Sequence, residues 1–220
     1  MTPTPAHITS ASIDNIYLSD GCNHRIRKVL AASAVIITVA GSGVAGYAGD
    51  GAAATAALIY YPHGIDLDSV GNIYIGDYYA NNVVRKVTVS TGIISTVAGT
   101  ASTSGGYNGD NIQATAAMLH SPHGVTLDSY GNLYICDRFN YRIRKVDVLT
   151  GVITTVIGNG TRASAGDGAA ASAATISATC YSRFDSTGNY YISDCGGNRV
   201  RKVITVTTYI PTATPTMIPR

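Results

Sequence analysis

Asn72-Ile73-Tyr74-Ile75-Gly76-Asp77 decides the fold, because the chain contains this pattern four times. The other copies run Asn15 to Asp20, Asn132 to Asp137 and Asn189 to Asp194, so they begin 57, 60 and 57 residues apart. A near-constant period over a whole chain marks a repeat architecture, in which each unit buries its apolar surface only against its neighbours. Tyr17, Tyr74, Tyr134 and Tyr191 alternate in these stretches with the small Ser19, Gly76, Cys136 and Ser193, while Ile73 and Ile75 take the opposite face. Strict alternation is the signature of a strand, and bulky groups on both faces mean a strand covered on both sides. The tyrosines therefore read as packing residues with satisfied hydroxyls. Cys136, in a small-residue slot, reads as an inert core thiol.

The neighbouring strands follow outward from the second copy. Gly64 to Asp68 alternates apolar and polar side chains, and Asp68-Ser69-Val70-Gly71 supplies turn residues, so these residues and Asn72 to Asp77 form a hairpin. Val83 to Val89 is a β-branched run, Ser90-Thr91-Gly92 a turn, and Ile93 to Gly99 another strand. Each unit is thus a four-stranded antiparallel meander. The third copy repeats it from Gly124 to Gly158, and the first is complete because Pro5-Ala6-His7-Ile8 aligns with Pro62-His63-Gly64-Ile65 at an offset of 57. Between units a second motif recurs, Gly49-Asp50-Gly51, Gly109-Asp110-Asn111 and Gly166-Asp167-Gly168, each ahead of an alanine-rich run. An aspartate before alanines predicts one or two helical turns, with Asp50, Asp110 and Asp167 as N-caps.

Four-stranded meanders repeated about an axis predict an all-β propeller. Its four blades fall at about 5–42, 62–100, 122–158 and 179–210, with short Ala-rich helical turns between them. The Thr/Pro-rich segments 1–4 and 211–220 read as extended linkers outside the blades. Across 220 residues, hydrophobic types make up 45%, enough for a buried core. Charged residues are only 13%, against a usual ~25%. With a net charge of +2 and basic residues spread once per repeat, nucleic acid is excluded as a partner. No apolar run reaches the ~20 residues of a membrane span, and residues 1–6 do not read as a signal peptide. A neutral polar coat of Thr, Ser, Asn, Gly and Tyr points to an extracellular or cell-surface location, where Asn159-Gly160-Thr161 is a glycosylation acceptor.

The pattern GDGxxAxxAxLxxPxG, LDSxGNxYIxD, NRIRKV and TGxIxTVAG resembles the NHL-repeat propellers over nearly the whole chain, from about Pro5 to Tyr209. Propellers of that family commonly have about six blades, whereas four are countable here. Closure is therefore open among a small ring, a fragment and an arc completed by other chains. Many propellers latch by building one blade from both chain ends, yet here the first and last units each hold their own strands. The end blades must bury an apolar face on each other or on a second molecule, so a homo-oligomer assembled head to tail is expected.

Three sets of residues carry the chemistry. Asp20, Asp77, Asp137 and Asp194 precede the loop to Arg27, Arg85, Arg144 and Arg201, which predicts one buried inter-blade pair or hydrogen-bond node per repeat. The adjacent Lys28, Lys86, Lys145 and Lys202 read as a solvated stripe. His63 and His123 stand at the entrance to their blades' innermost strands, where a propeller has its channel; Cys180 fills that slot in the fourth unit and His7 lies one residue from it in the first. That set suits zinc or another divalent metal. The zinc-dependent peptidylglycine alpha-amidating lyase, a related propeller, is similar in holding a channel metal through histidines, but no matching base is found here. Cys22 and Cys195 lie in equivalent loops of the first and last units and can be joined as a covalent latch. Cys136 with Cys180 is the other pair considered, and four cysteines permit three connectivities. No nucleophile elbow, phosphate-binding loop or zinc knuckle is written in the sequence. The reading is a non-enzymatic module binding a protein or glycan ligand and needing no cofactor; the alternative is a metal-dependent lyase or hydrolase with its site in the channel.

Overall fold

The structure is a computed structural model and describes residues 8–10 and 15–203. His7, the Thr/Pro segments 1–4 and 211–220, and the fourth unit's expected outer segment near Val206 lie outside these residues. Four antiparallel sheets follow in chain order. The first holds β1 (Ile8–Ser10), β2 (Ile16–Asp20), β3 (Arg25–Val29) and β4 (Ile36–Ala40); the second holds β5 (Pro62–Leu67), β6 (Ile73–Asp77), β7 (Val83–Thr88) and β8 (Ile93–Ala98). The third adds a short fifth strand, β9 (Ile112–Gln113), beside β10 (Pro122–Leu127), β11 (Leu133–Asp137), β12 (Arg142–Val146) and β13 (Val152–Ile157). β14 (Thr179–Phe184), β15 (Tyr190–Asp194) and β16 (Arg199–Val203) are the described strands of the fourth.

The β5–β6, β10–β11 and β14–β15 hairpins are each set by an Asp and an Asn four residues apart. Asp68 Oδ1 accepts the amides of Val70 and Asn72 around Gly71, whose φ of +88° only glycine adopts without strain. The Asn72 side chain then donates to Asp68 Oδ2 and accepts from Val89 N, tying this turn to the next. Asp128 and Asn132 repeat the arrangement. The first Asn of the repeated hexapeptide is therefore a clip between two turns.

Apolar side chains fill the spaces between consecutive sheets. Tyr17 and Ile26 of the first pack with Ile65 and Ile73 of the second; Tyr74 and Val84 of the second with Val125 and Ile135 of the third; Cys136 and Ile143 of the third with Tyr190 and Ile192 of the fourth. Strand register sorts the two adjacent cations onto opposite faces. Tyr74 stands opposite Lys86, and Ile75 opposite Arg85. The lysines consequently do more than line a solvated stripe: Lys28, Lys86, Lys145 and Lys202 each lie over the tyrosine opposite, 5.1–5.9 Å from its ring centre.

The arginines hold the connections. Arg85 and Arg144 have fully buried side chains, and a guanidinium out of water needs acceptors. Arg85 donates to the carbonyls of Ala48 and Leu58 and pairs with Asp50. Arg144 donates to Gly109 O and lies 3.0 Å from Asp110; Arg201 donates to Ala165 O and Thr175 O and lies 2.6 Å from Asp167. This corrects two expectations. Asp50 and Asp110 are not helix caps: the alanine runs make a single 3-10 turn each, Ala54–Ala56 and Ala114–Ala116, with no side-chain cap. The repeated Asp and Arg are likewise not each other's main partners, and they belong to one sheet, not two: Arg27–Asp20, Arg144–Asp137 and Arg201–Asp194 are 4.0, 3.6 and 3.9 Å apart. Asp77, Asp137 and Asp194 instead accept the amides of Tyr60, His120 and Ser177, fixing the chain as it enters each inner strand.

Arg27 is different: among the described residues it has only Asp20, and its side chain is 26% exposed. Arg144→Met should therefore lower the unfolding free energy by about 3–5 kcal/mol, the cost of breaking a buried pair, while Arg27→Met should cost less than about 1 kcal/mol. Urea denaturation of both variants measures this, and equal losses would show that the loops do not depend on the buried arginines.

Candidate functional site

The inner strands β5, β10 and β14 lie side by side, and each begins with a break in register, between Pro62 and Ile65, Pro122 and Val125, and Thr179 and Ser182. Such bulges re-aim side chains at a sheet edge. They turn His63, His123 and the Cys180–Tyr181 pair toward one place. Close approach of the strands needs glycine: a Cβ on Gly64 would sit 2.5 Å from His123 O, and one on Gly124 2.5 Å from Cys180 O. Where the second and third sheets have these glycines, the fourth has Tyr181.

The imidazoles of His63 and His123 lie with ring centres 3.5 Å apart. Tyr78 and Tyr181 stand edge-on to His123 at 5.2 and 5.0 Å. Tyr181 Oη is 2.7 Å from His63 Nδ1, and Cys180 O is 2.8 Å from His123 Nδ1. Arg138 Nη1 donates to Tyr78 Oη at 3.3 Å, and Arg183 of β14 reaches Asp66 of β5 at 3.2 Å. His123 is buried; His63, Tyr78, Tyr181 and Arg138 are half-buried. Burial pushes the Tyr181 hydroxyl up to about 12, so it stays protonated. The result is an aromatic floor with hydrogen-bonding edges where three sheets converge.

The structure brings His63 and His123 together and removes Cys180 from the metal set. Cys180 forms a disulfide with Cys195, their Cα atoms 6.1 Å apart, so its sulfur is not a thiolate ligand. Among the described residues no group of three or more His, Cys, Asp or Glu side chains is placed to hold a metal; His7 lies outside them. Neither of the two disulfide pairs considered from the sequence forms, and the reason is the same for both. Thr179 pairs with Asp194 across the β14–β15 hairpin, which sets Cys180 beside Cys195 and leaves Cys22 exposed and Cys136 buried, both free. Cys136 donates to Ser182 Oγ at 3.6 Å, and burial pushes its thiol up to about 11. Asn159 is exposed in the loop after β13. Tyr78, Arg138 and Tyr181 were not among the sequence candidates, yet they carried a signal: Tyr78, Arg138 and Cys195 directly follow the repeated Asp, at a position that differs in every copy, and Tyr181 replaces a repeated Gly.

Comparison with known proteins matches the Teneurin NHL domain family to residues 104–179. Over those residues the chain is similar to an NHL domain. Teneurin-1 of Gallus gallus is 45% identical over 51 residues, 23% of this chain and 2% of that protein. Among solved structures, a Bacteroides thetaiotaomicron protein of unknown function superimposes on 89% of the chain with a TM-score of 0.69 at 22% identity, covering 46% of its own length. An auxiliary nutrient binding protein from Bacteroides ovatus superimposes on 87% with a TM-score of 0.59 at 20% identity, covering 45% of its own length. The chain thus spans about half the length of these structures, and the likeness shows an all-β, propeller-like fold.

Two measurements follow from the site. A thiol reagent should modify one cysteine of the native chain, Cys22, and two after unfolding without reductant; a second native thiol would refute the buried state of Cys136 or the disulfide. Burial also pushes Asp77 up to about 7 and Asp137 up to about 6, from an ordinary 3.8. A carboxyl with a raised folded pKa favours the native state below its unfolded value, and that contribution is lost as pH rises through the folded value. The urea midpoint should therefore fall between about pH 4 and pH 7, and Asp77→Asn should flatten the fall; an unchanged slope counts against the assignment.

Proposed function

We propose that the chain is a non-enzymatic interaction module of the cell exterior, its four sheets acting as propeller blades that present His63, His123, Tyr78 and Tyr181 to a protein or glycan ligand. The observation that carries this reading is how the polar atoms at the mouth are engaged. The Nδ1 atoms of both histidines are held by Tyr181 and Cys180, Cys180 is oxidised, and the buried Asp77, Asp137 and Asp194 fix backbone amides. What faces the ligand is a set of rings with hydrogen-bonding edges, the composition of a recognition surface. The Cys180–Cys195 disulfide supports an oxidising compartment, as does the exposed acceptor Asn159. Head-to-tail self-association belongs to the same reading, with the first sheet of one copy against the fourth of the next.

The metal-dependent lyase or hydrolase is retained as a second reading because two imidazoles meet at the mouth. Elemental analysis of purified protein and of His123→Ala separates the two. For the interaction module, neither carries stoichiometric metal, and the variant keeps its fold and solution mass. Stoichiometric zinc lost on His123→Ala would establish the second reading. Light scattering decides assembly: rings or filaments support head-to-tail association, and a monomer near 22.8 kDa removes it.

A further inference from the structure

In the second and third sheets the outer strand is not the true edge. The loop that enters each sheet first runs along that strand. Gly51 N donates to Ile94 O, Ile94 N to Ala52 O, and Ala54 N to Gly92 O. In the third sheet Asn111 N donates to Ile153 O, β9 pairs with β13, and Ala114 N donates to Gly151 O. The aspartate ahead of these residues joins strand and arginine: Asp50 accepts from Thr96 N and pairs with Arg85, and Asp110 accepts from Thr155 Oγ1 and Arg144. Ala54 and Ala57, or Ala114 and Ala117, then cover the isoleucine, so that Ile94 and Ile153 are both 0% exposed.

The first sheet has every receiving element and no such segment among the described residues. Register places Arg27 and Thr38 opposite each other, as Arg85 faces Thr96 and Arg144 faces Thr155. Ile36 occupies the position of Ile94 and Ile153, yet it is 47% exposed. Ala34 stands where Gly92 and Gly151 stand, and it holds their left-handed conformation, φ 56° against 67° and 69°. β4 is the outermost strand of its sheet, so the amide and carbonyl of Ile36 have no strand partner there. The three Gly-Asp segments present, at Asp50, Asp110 and Asp167, are each bound to their own sheet's arginine.

We propose that the outer edge of the first sheet, built from Arg27, Ile36 and Thr38, is a docking site for an extended Gly-Asp-Gly-Ala-type segment of a partner polypeptide. The segment adds as a fifth strand. Its aspartate pairs with Arg27 and Thr38, and its alanines cover Ile36. Main-chain pairing supplies affinity, and the spacing of one carboxylate ahead of small residues supplies selectivity. A segment with a bulky residue in place of alanine would stand off the edge, and one without the carboxylate would leave Arg27 with Asp20 alone. The site is separate from the aromatic mouth, and it stands whether or not the mouth binds a ligand.

The probe is a fluorescent peptide with the sequence of Tyr47 to Leu58, titrated into the full chain and followed by anisotropy. Saturable one-to-one binding is expected, with amide exchange slowed at Ile36. Arg27→Met in the chain, and Asn in place of the peptide's Asp, should each weaken binding by about tenfold or more. Absence of saturation up to about 1 mM peptide overturns the proposal, as does binding indifferent to Arg27→Met, which would place the peptide elsewhere. Circular dichroism of Arg27→Met confirms that any loss is not unfolding.

Discussion

A guanidinium without water is the constraint on which the molecule depends. Arg85 and Arg144 are sealed between a sheet and the loop that enters it, where each donor left unpaired carries a desolvation cost. The sheet cannot supply the acceptors, because its own carbonyls already accept the amides of neighbouring strands across the ladders. Only a chain segment laid over the arginine can, and it does so with backbone oxygens at Ala48, Leu58 and Gly109 and with the carboxylates of Asp50 and Asp110. Once the segment is held there, its alanines fall on the outer strand's isoleucine. Small side chains are required at that point because the loop lies almost in contact with the strand it covers. The same residues therefore serve as connection, ion-pair partner and edge protection.

This explains which parts of the fold could be read from sequence. The strands, hairpins and period were legible because alternation and turn chemistry are local, and the repeat states them several times over. The partner of each arginine was not. Asp77 and Asp50 recur with the same period as Arg85, so the repeat itself cannot say which carboxylate meets the guanidinium; that depends on where a loop 35 residues upstream is laid. The alanine run misled in the same way. Aspartate before alanine reads as a capped helix when considered locally, but a long-range acceptor for a buried cation outweighs one cap. The Cys180–Cys195 bridge was within reach of local reasoning, since the hairpin register that pairs Pro62 with Asp77 also pairs Thr179 with Asp194.

The candidate site shows the converse rule. Residues identical in every repeat proved to be framework: the tyrosines under lysines, the aspartates on backbone amides, the asparagine clips. Positions that vary inside an otherwise fixed motif are the ones gathered at the mouth. The residue after the repeated Asp is Gly21, Tyr78, Arg138 and Cys195 in turn, and the last three meet partners at the convergence of the inner strands. A scaffold that repeats its packing can change such positions one at a time, because none of them bears on the register of the sheets.

The mouth is also where covalent chemistry meets recognition. His123 takes its orientation from Cys180 O, a carbonyl inside the bulge that opens β14. A bulge is the weakest part of a ladder, since one residue there has no partner across the sheet. The disulfide to Cys195 ties that residue to the loop leaving β15, so the carbonyl is held from the side-chain end as well as by the strand. His63 depends on the next residue, through the Tyr181 hydroxyl. Both imidazoles thus take their orientation from two consecutive residues of the fourth sheet, and that two-residue segment is braced by the one cross-link in the described chain. Orientation of the rings and oxidation of the cysteines are for that reason a single structural property.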